Sequence, residues 1–265
     1  NISTVADAGG DLYQKGTLAP TNPVSVYYGG KVLGPEEATN TSFGIVWDPT
    51  DAFNITLDFY EIELEDRITQ GDDIAITAAD IATLTALGIP GAGDLTNFRF
   101  YVNDFDTTTE GHDLVATYET EMGGGNTSFT YVYSHVETHV DRTGGLIGSG
   151  RIDQLEKLLP ENRWNLSAVH YKDDWRLLAR INWVDEWFTE EWGGGGGYIG
   201  DMMTVDVEVS KDLSDTYTLT LGSQNALNEF PDKEKRGLIL GWEYPEAAPL
   251  GFNGAFYYLK LSMNF

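Results

Sequence analysis

Apolar and polar residues alternate along most of this chain with a period of two, the spacing of a β-strand whose two faces meet different surroundings. The last residues show it best: Tyr257, Leu259, Leu261, Met263 and Phe265 share one face, and Tyr258, Lys260, Ser262 and Asn264 share the other. Eight earlier segments repeat the pattern. In 43–47, Phe43, Ile45 and Trp47 fall together, and in 53–60, Phe53, Ile55, Leu57 and Phe59 alternate with Asn54, Thr56, Asp58 and Tyr60. Segment 98–120 ends with Leu114, Ala116 and Tyr118 against Asp113, Thr117 and Glu119, and 127–141 sets Phe129, Tyr131 and Tyr133 against Ser128, Thr130 and Ser134. Segment 163–171 carries Trp164, Leu166 and Ala168, and 175–184 carries Trp175, Leu177, Ala179, Ile181 and Trp183 opposite Arg176, Arg180 and Asn182. In 201–210, Met203, Val205, Val207 and Val209 oppose Thr204, Asp206 and Glu208; in 217–224, Tyr217, Leu219 and Leu221 oppose Thr218 and Thr220. Nine strands are expected.

The connections sort themselves. "DPTD" (48–51), "EMGGGN" (121–126), "KDD" (172–174) and "LSDT" (213–216) are short turns, and between them lie long connections at roughly 66–97, 142–162, 189–200 and 226–253. Strict alternation of short and long is what a membrane barrel needs, with tight turns on one rim and large loops on the other. Aromatic residues at segment ends, such as Trp175 and Trp183, suit girdles at two lipid–water interfaces. The pattern therefore predicts an all-β, antiparallel transmembrane β-barrel portion of about nine strands with long extracellular loops. One loop bears a short helix: in "TAADIATLTALGIPG", Thr77 caps with Asp80 as its partner, Ile81, Leu84 and Leu87 keep helical spacing, and Gly88 with Pro90 ends it. "GGGGG" at 193–197 is expected to be mobile.

Composition narrows the function classes. The 265 residues carry 42 acids against 16 bases, a formal net charge of −26, with no cysteine. Such a charge argues against nucleic acid, whose phosphates need lysine and arginine. The missing cysteines exclude a disulfide scaffold and a thiolate metal site. No stretch approaches the roughly 18 consecutive apolar residues of a membrane helix, which says nothing against spanning by strands of ~9–11 residues. "NISTVADAGG" has neither the basic segment nor the apolar core of a signal peptide, so the chain is expected to be mature or to start inside something larger. The excess of acids suggests a saline or divalent-rich surrounding, where screening acts over ~8 Å or less.

Four stretches in order resemble one family. "GGKVLGPEEATNTSFGIVWDPTDAFNITLDFYEIELEDRI" (29–68) resembles the loop of "LxPE" type and following hairpin of TonB-dependent outer-membrane receptors. "RFYVNDFDTTTEGHDLVATYE" (99–119) is similar to a descending strand of theirs, and "LTLGSQNALNEFPDK" (219–233) to their penultimate strand. The terminal strand, with Tyr257, Leu261, Met263 and Phe265, resembles the signal read by the barrel-assembly machinery. Such receptors are 22-stranded barrels with a plugged lumen. The resemblance implies that this chain supplies the last strands, fourteen to twenty-two, with residues 1–39 mainly extracellular loop and 40–265 barrel, and with the plug and first strands absent. It also implies a Gram-negative outer-membrane location, contact with outer-membrane lipids, energy from the TonB system through the missing plug, and a small-molecule ligand captured by the loops. No cofactor is implied.

In "HVETHVD", His135, Glu137, His139 and Asp141 share a face, and neighbours two apart lie roughly 6.5–7 Å from one another, so two of them could hold a metal ion. The plainer role is a polar strand emerging above the membrane. In "DEWFTEEWGGGGGY", Trp187, Trp192 and Tyr198 beside Asp185, Glu186, Glu190 and Glu191 could stack a sugar or attract a cation, or form an interfacial belt with a solvated loop. Asp58, Asp113, Glu119, Arg176, Arg180, Asp206, Glu208 and Lys260 are expected on the lumen side. Asp72 and Asp73 are a sparse oxygen set for calcium. No Ser–His–Asp order, phosphate-cradling loop or HExxH stands out, and no catalytic residue is named. A transport receptor for a metal chelate, cobalamin or an oligosaccharide leads; an outer-membrane barrel enzyme using the His135–Asp141 face and a structural or adhesive assembly are the alternatives.

Overall fold

A computed structural model describes residues 2–6, 12–89, 96–189, 197–234, 243–245 and 247–263. In chain order the elements are β1 (Ile2–Ala6), β2 (Leu12–Leu18), α1 (Pro23–Tyr27), β3 (Glu37–Thr50), β4 (Phe53–Gln70), β5 (Ile74–Ala75), α2 (Ala78–Ala86), β6 (Asn97–Met122) and β7 (Gly125–Thr143). They continue with α3 (Ser149–Lys157), β8 (Asn162–Lys172), β9 (Trp175–Val184), β10 (Trp187–Thr189), β11 (Gly197–Ile199), β12 (Met202–Asp212), β13 (Tyr217–Gln224) and β14 (Phe256–Met263).

Nine of these strands, β3, β4, β6, β7, β8, β9, β12, β13 and β14, pair antiparallel in that order and form one curved wall. Each coincides with one of the nine alternating segments over its described residues. The short turns all fall on one rim. At 123–124 the turn is Gly-Gly with φ of 61° and 78°, the left-handed pair that a two-residue hairpin loop requires to match strand twist. The barrel is not closed within this chain: among the described residues β3 and β14 each pair on one side only.

Register keeps every alternating stripe on the same side. Ile45, Leu57, Leu114, Tyr133, Trp164, Trp183 and Met203 stand opposite one another in succession, an apolar row across seven strands. Among the described residues this face lies open: Leu221 is 61 % exposed, Leu261 63 % and Leu259 70 %. On the opposite face the buried residues of the wall include small polar ones, Ser134, Thr204, Ser210 and Thr220. A water-soluble sheet packs the other way round, with its apolar face against a core. Here the apolar face is dressed for hydrocarbon and the concave face for water.

The concave face is held by aromatic rings lying on glycine. A Cβ on Gly222 would come within 2.3 Å of the Tyr258 ring, and one on Gly111 within 2.4 Å of the Tyr60 ring. Only a missing side chain lets these rings lie flat across the next strand. Tyr258 thereby reaches over β13 and donates to Glu208 of β12 at 2.6 Å, Glu208 pairs with Arg176 of β9, and the Arg176 Nε donates to the Tyr171 hydroxyl of β8 at 3.3 Å. A polar strap thus crosses the wall from β14 to β8.

Above the wall, β4, β6 and β7 run on well beyond the apolar band and carry a cap. Its core contains Val24, Leu84, Phe98, Phe100, Val102, Phe105 and Ile147, with Ile152 and Leu155 of α3 and Val140 of β7 packed against it. β1 and β2 form a hairpin whose second strand adds to β6 in parallel, an attachment that alternation alone did not suggest. α2 forms where expected, with a capping box: Thr77 Oγ1 accepts from the Asp80 amide and the Asp80 carboxylate accepts from the Thr77 amide. The Thr77 donors hold the Asp80 carboxyl below its ordinary range. Of the glycine run, Gly197 opens β11, and residues 193–196 lie outside the described residues.

Candidate functional site

The site is the concave wall together with the cap that stands over its outer end. A register break puts the cap on that side. Thr69 of β4 faces Val102 of β6 and Arg67 faces Phe105, so β6 holds one residue more than β4 in this interval. The extra residue shifts the alternation, and Phe98, Phe100 and Val102 join Phe105 and Thr107 on the face that lower down carries Gly111 and Asp113. β7 holds one residue more at Asp141, and Val140 just below it, in phase with Ser134 and opposite Thr107, packs against the same core. Arg67 lies over the Phe105 ring at 5.9 Å and its Nη1 donates to Thr107 Oγ1 at 3.1 Å.

A charged clasp closes the outer end of these strands. Arg142 of β7 donates to Asp106 of β6 and to Asp66 of β4, the latter at 3.1 Å. The Asp66 amide also donates to Asp106 Oδ1 at 2.9 Å. Arg142 holds the Asp106 carboxyl below its ordinary range despite partial burial, which opposes ionisation, and the Asp66 amide adds to the lowering.

Below the cap, the wall presents polar groups in rows. Asp58, Asp113, Ser134 and Arg163 stand opposite one another, and so do Thr130, Ser167, Arg180 and Asp206. All the charges expected in the lumen belong to this face. Three of them are engaged with the wall: Asp206 accepts from Asn182 at 3.0 Å and from the Asn225 amide at 2.9 Å, and Glu208 is bound by Arg176 and Tyr258.

Several expected ligand contacts take other roles. Trp187 is fully buried with Val184, Ile199, Met202 and Leu250, so its ring faces are occupied by packing and are not open to a sugar or cation. Tyr198 remains exposed and meets Phe188 edge-on at 5.7 Å, while Trp192 lies outside the described residues. Glu137 meets His139 at 3.1 Å, but His135 does not join them. Its ring instead lies 5.0 Å from that of His112 on β6, and its Nδ1 is 3.0 Å from Asn162 Oδ1 on β8. Among the described residues, no three His, Cys, Asp or Glu side chains converge on a metal position. Asp73 pairs with Lys15, and the Asp72 side chain packs at Gly148. Tyr257, Leu261 and Met263 sit on the exposed face of β14, and Phe265 lies outside the described residues.

Comparison with known proteins gives one consistent answer. Among solved structures, the chain is similar to the FrpB iron transporter from Neisseria meningitidis (TM-score 0.60, 15 % identity, 88 % of this chain and 32 % of that one). It is similar also to the outer-membrane transporter YddB from Escherichia coli (0.61, 11 %, 88 % and 33 %). A third is the pyoverdine outer-membrane receptor FpvA from Pseudomonas aeruginosa (0.58, 15 %, 89 % and 31 %). At these identities the likeness is one of fold, and the chain spans about a third of the length of each. No curated protein sequence matches. The model of the TonB dependent receptor-like β-barrel matches residues 3–226, which is most of the chain, and an open wall with lipid-facing and water-facing sides is what a segment of such a barrel must have: the chain belongs to the TonB-dependent receptor β-barrel family.

Proposed function

We infer that this chain forms the C-terminal part of an outer-membrane receptor of a Gram-negative bacterium that captures a scarce nutrient and imports it with TonB-derived energy. The observation that carries the reading is the cap: its loops fold into an ordered core on the concave side of the wall, above the lumen. In this reading residues 1–39 and the long connections stand on the outer side, residues 40–265 make the wall, and the strap and clasp keep that wall rigid. The plug that receives TonB and the remaining strands belong to the rest of the receptor. The matched structures include an iron transporter and a pyoverdine receptor, which makes ferric chelates the first ligands to try, ahead of cobalamin and oligosaccharides. Tyr198 is the aromatic ligand contact retained from the sequence, since its face is exposed. The terminal strand, through Tyr257, Leu261, Met263 and Phe265, engages the barrel-assembly machinery in this reading.

Uptake of radiolabelled ferric chelates by the source bacterium tests the proposal. Deleting the gene is expected to abolish uptake of one chelate, and removing TonB is expected to do the same. Uptake that survives both deletions for ferric chelates, cobalamin and oligosaccharides alike would overturn it.

A further inference from the structure

We propose that His112 and His135 form a two-histidine site for a divalent transition metal ion, Cu2+ or Zn2+, on the lipid side of the wall at the upper edge of the apolar band. The two residues stand directly opposite each other on β6 and β7. Side chains in such a pair start from Cβ atoms about 4.5–5.5 Å apart, closer than residues two along one strand. A metal ion about 2.0–2.1 Å from one nitrogen of each ring, at a tetrahedral angle, puts the ring centres about 5 Å apart. The observed separation is 5.0 Å.

Hydrogen bonding prepares one ring for the task. Asn162 Nδ2 donates to the Asp185 carboxylate at 2.8 Å, which fixes the orientation of the amide and leaves its oxygen turned to His135. That oxygen can only accept, so His135 Nδ1 carries the proton and Nε2 keeps its lone pair. Metal-binding histidines are characteristically oriented through such a second nitrogen. His112 has no hydrogen-bond partner among the described residues, and its ring is flanked by Phe59 at 5.8 Å and Tyr133 at 5.7 Å. Aromatic flanking limits where it can swing.

Position separates this site from the transport path. The pair belongs to the outer stripe that runs on through Leu114 and Tyr133, and Glu61, Glu110 and Glu137 form the next row above it. Two imidazoles select Cu2+, Ni2+ or Zn2+ over Mg2+ and Ca2+, and water completes the coordination. A bound ion would tie β6 to β7 where the wall leaves the membrane.

The test uses the complete receptor in detergent micelles, free of affinity tags. Loaded with Cu2+ alone and desalted, it is expected to show electron paramagnetic resonance with couplings from two imidazole nitrogens, and Zn2+ but not Mg2+ or Ca2+ should displace the copper. His112→Gln and His135→Gln should each abolish the two-nitrogen signal, His139→Gln should leave it, and Asn162→Ala should weaken binding about tenfold or more. Heat-shifted migration on gels verifies that each variant is folded. Wild-type receptor lacking the two-nitrogen coupling overturns the proposal without recourse to any variant; so does a signal that survives His112→Gln or vanishes with His139→Gln.

Discussion

Along β6, Phe98 and Phe100 are buried in the cap, whereas further down the same strand Tyr118 stands exposed and Leu114 is half-exposed on the spanning wall. One strand thus passes from a water-soluble core to a lipid-facing surface while staying paired, with β2 and β5 at its upper end and with β4 and β7 further down. In the cap, apolar side chains cluster inward because water surrounds them. In the wall they point outward because lipid does not penalise them, while hydroxyls and charges turn to the lumen. The two regions also differ in how they are held. The cap depends on side-chain packing, and the wall on backbone ladders, the strap from Tyr258 to Tyr171, and rings lying on glycine.

Substitutions can set these two rules against each other. The largest effect is expected from Phe98→Ala, which opens a cavity among Phe100, Tyr28 and their neighbours and costs about 3–5 kcal/mol. Hydrogen exchange should show cap amides losing protection while those of β8, β9 and β12 keep theirs; equal loss in both regions would show that they are a single cooperative unit. Val207→Arg attacks the other rule. Placing a cation on the lipid face in mid-strand is expected to cost about 2–4 kcal/mol in urea unfolding from vesicles. Indifference to that change would mean the stripe does not face hydrocarbon.

Gly222→Ala comes next. Its methyl group would collide with the Tyr258 ring and should cost about 1–3 kcal/mol, with Tyr258→Ala in the same chain restoring part of the loss. No loss in the single variant would refute the role given to the ring. For pH, Asp106 is ionised more readily in the folded cap than its ordinary 3.8 allows, chiefly through Arg142. Its contribution is therefore complete above about that value and is lost as pH falls through the lower folded value. Cap amides should loosen only in acid, and Arg142→Gln should remove that dependence. Last and smallest, Glu61, Glu110 and Glu137 face one another in register, so raising ionic strength should firm the cap by about 0.2–1 kcal/mol. A fall in stability with salt would show that attraction dominates there.

Much of the wall was legible from residue order, since alternation and turn chemistry are local. Every one of the nine segments became a strand of the wall, and the Thr77–Asp80 cap began α2. The candidate site was less so. Residue order places His135 on one face with Glu137 and His139, but the ring it meets belongs to His112, on the neighbouring strand. By residue order Trp187 suits a ligand contact or an interfacial belt, yet the β10–β11 pair turns it into a core. Neither outcome leaves a local trace.

Residue order by itself therefore determined which positions meet lipid, which meet water, where strands turn and where loops are long, because a period of two and a Gly-Gly turn act over a few residues. Tertiary structure decided the rest: the parallel docking of β2 on β6, the extra residue that swings Phe98 and Phe100 over the lumen, and the cross-strand meeting of His112 with His135. These depend on register between strands, which is set by the sum of many pairings and cannot be read from any one of them.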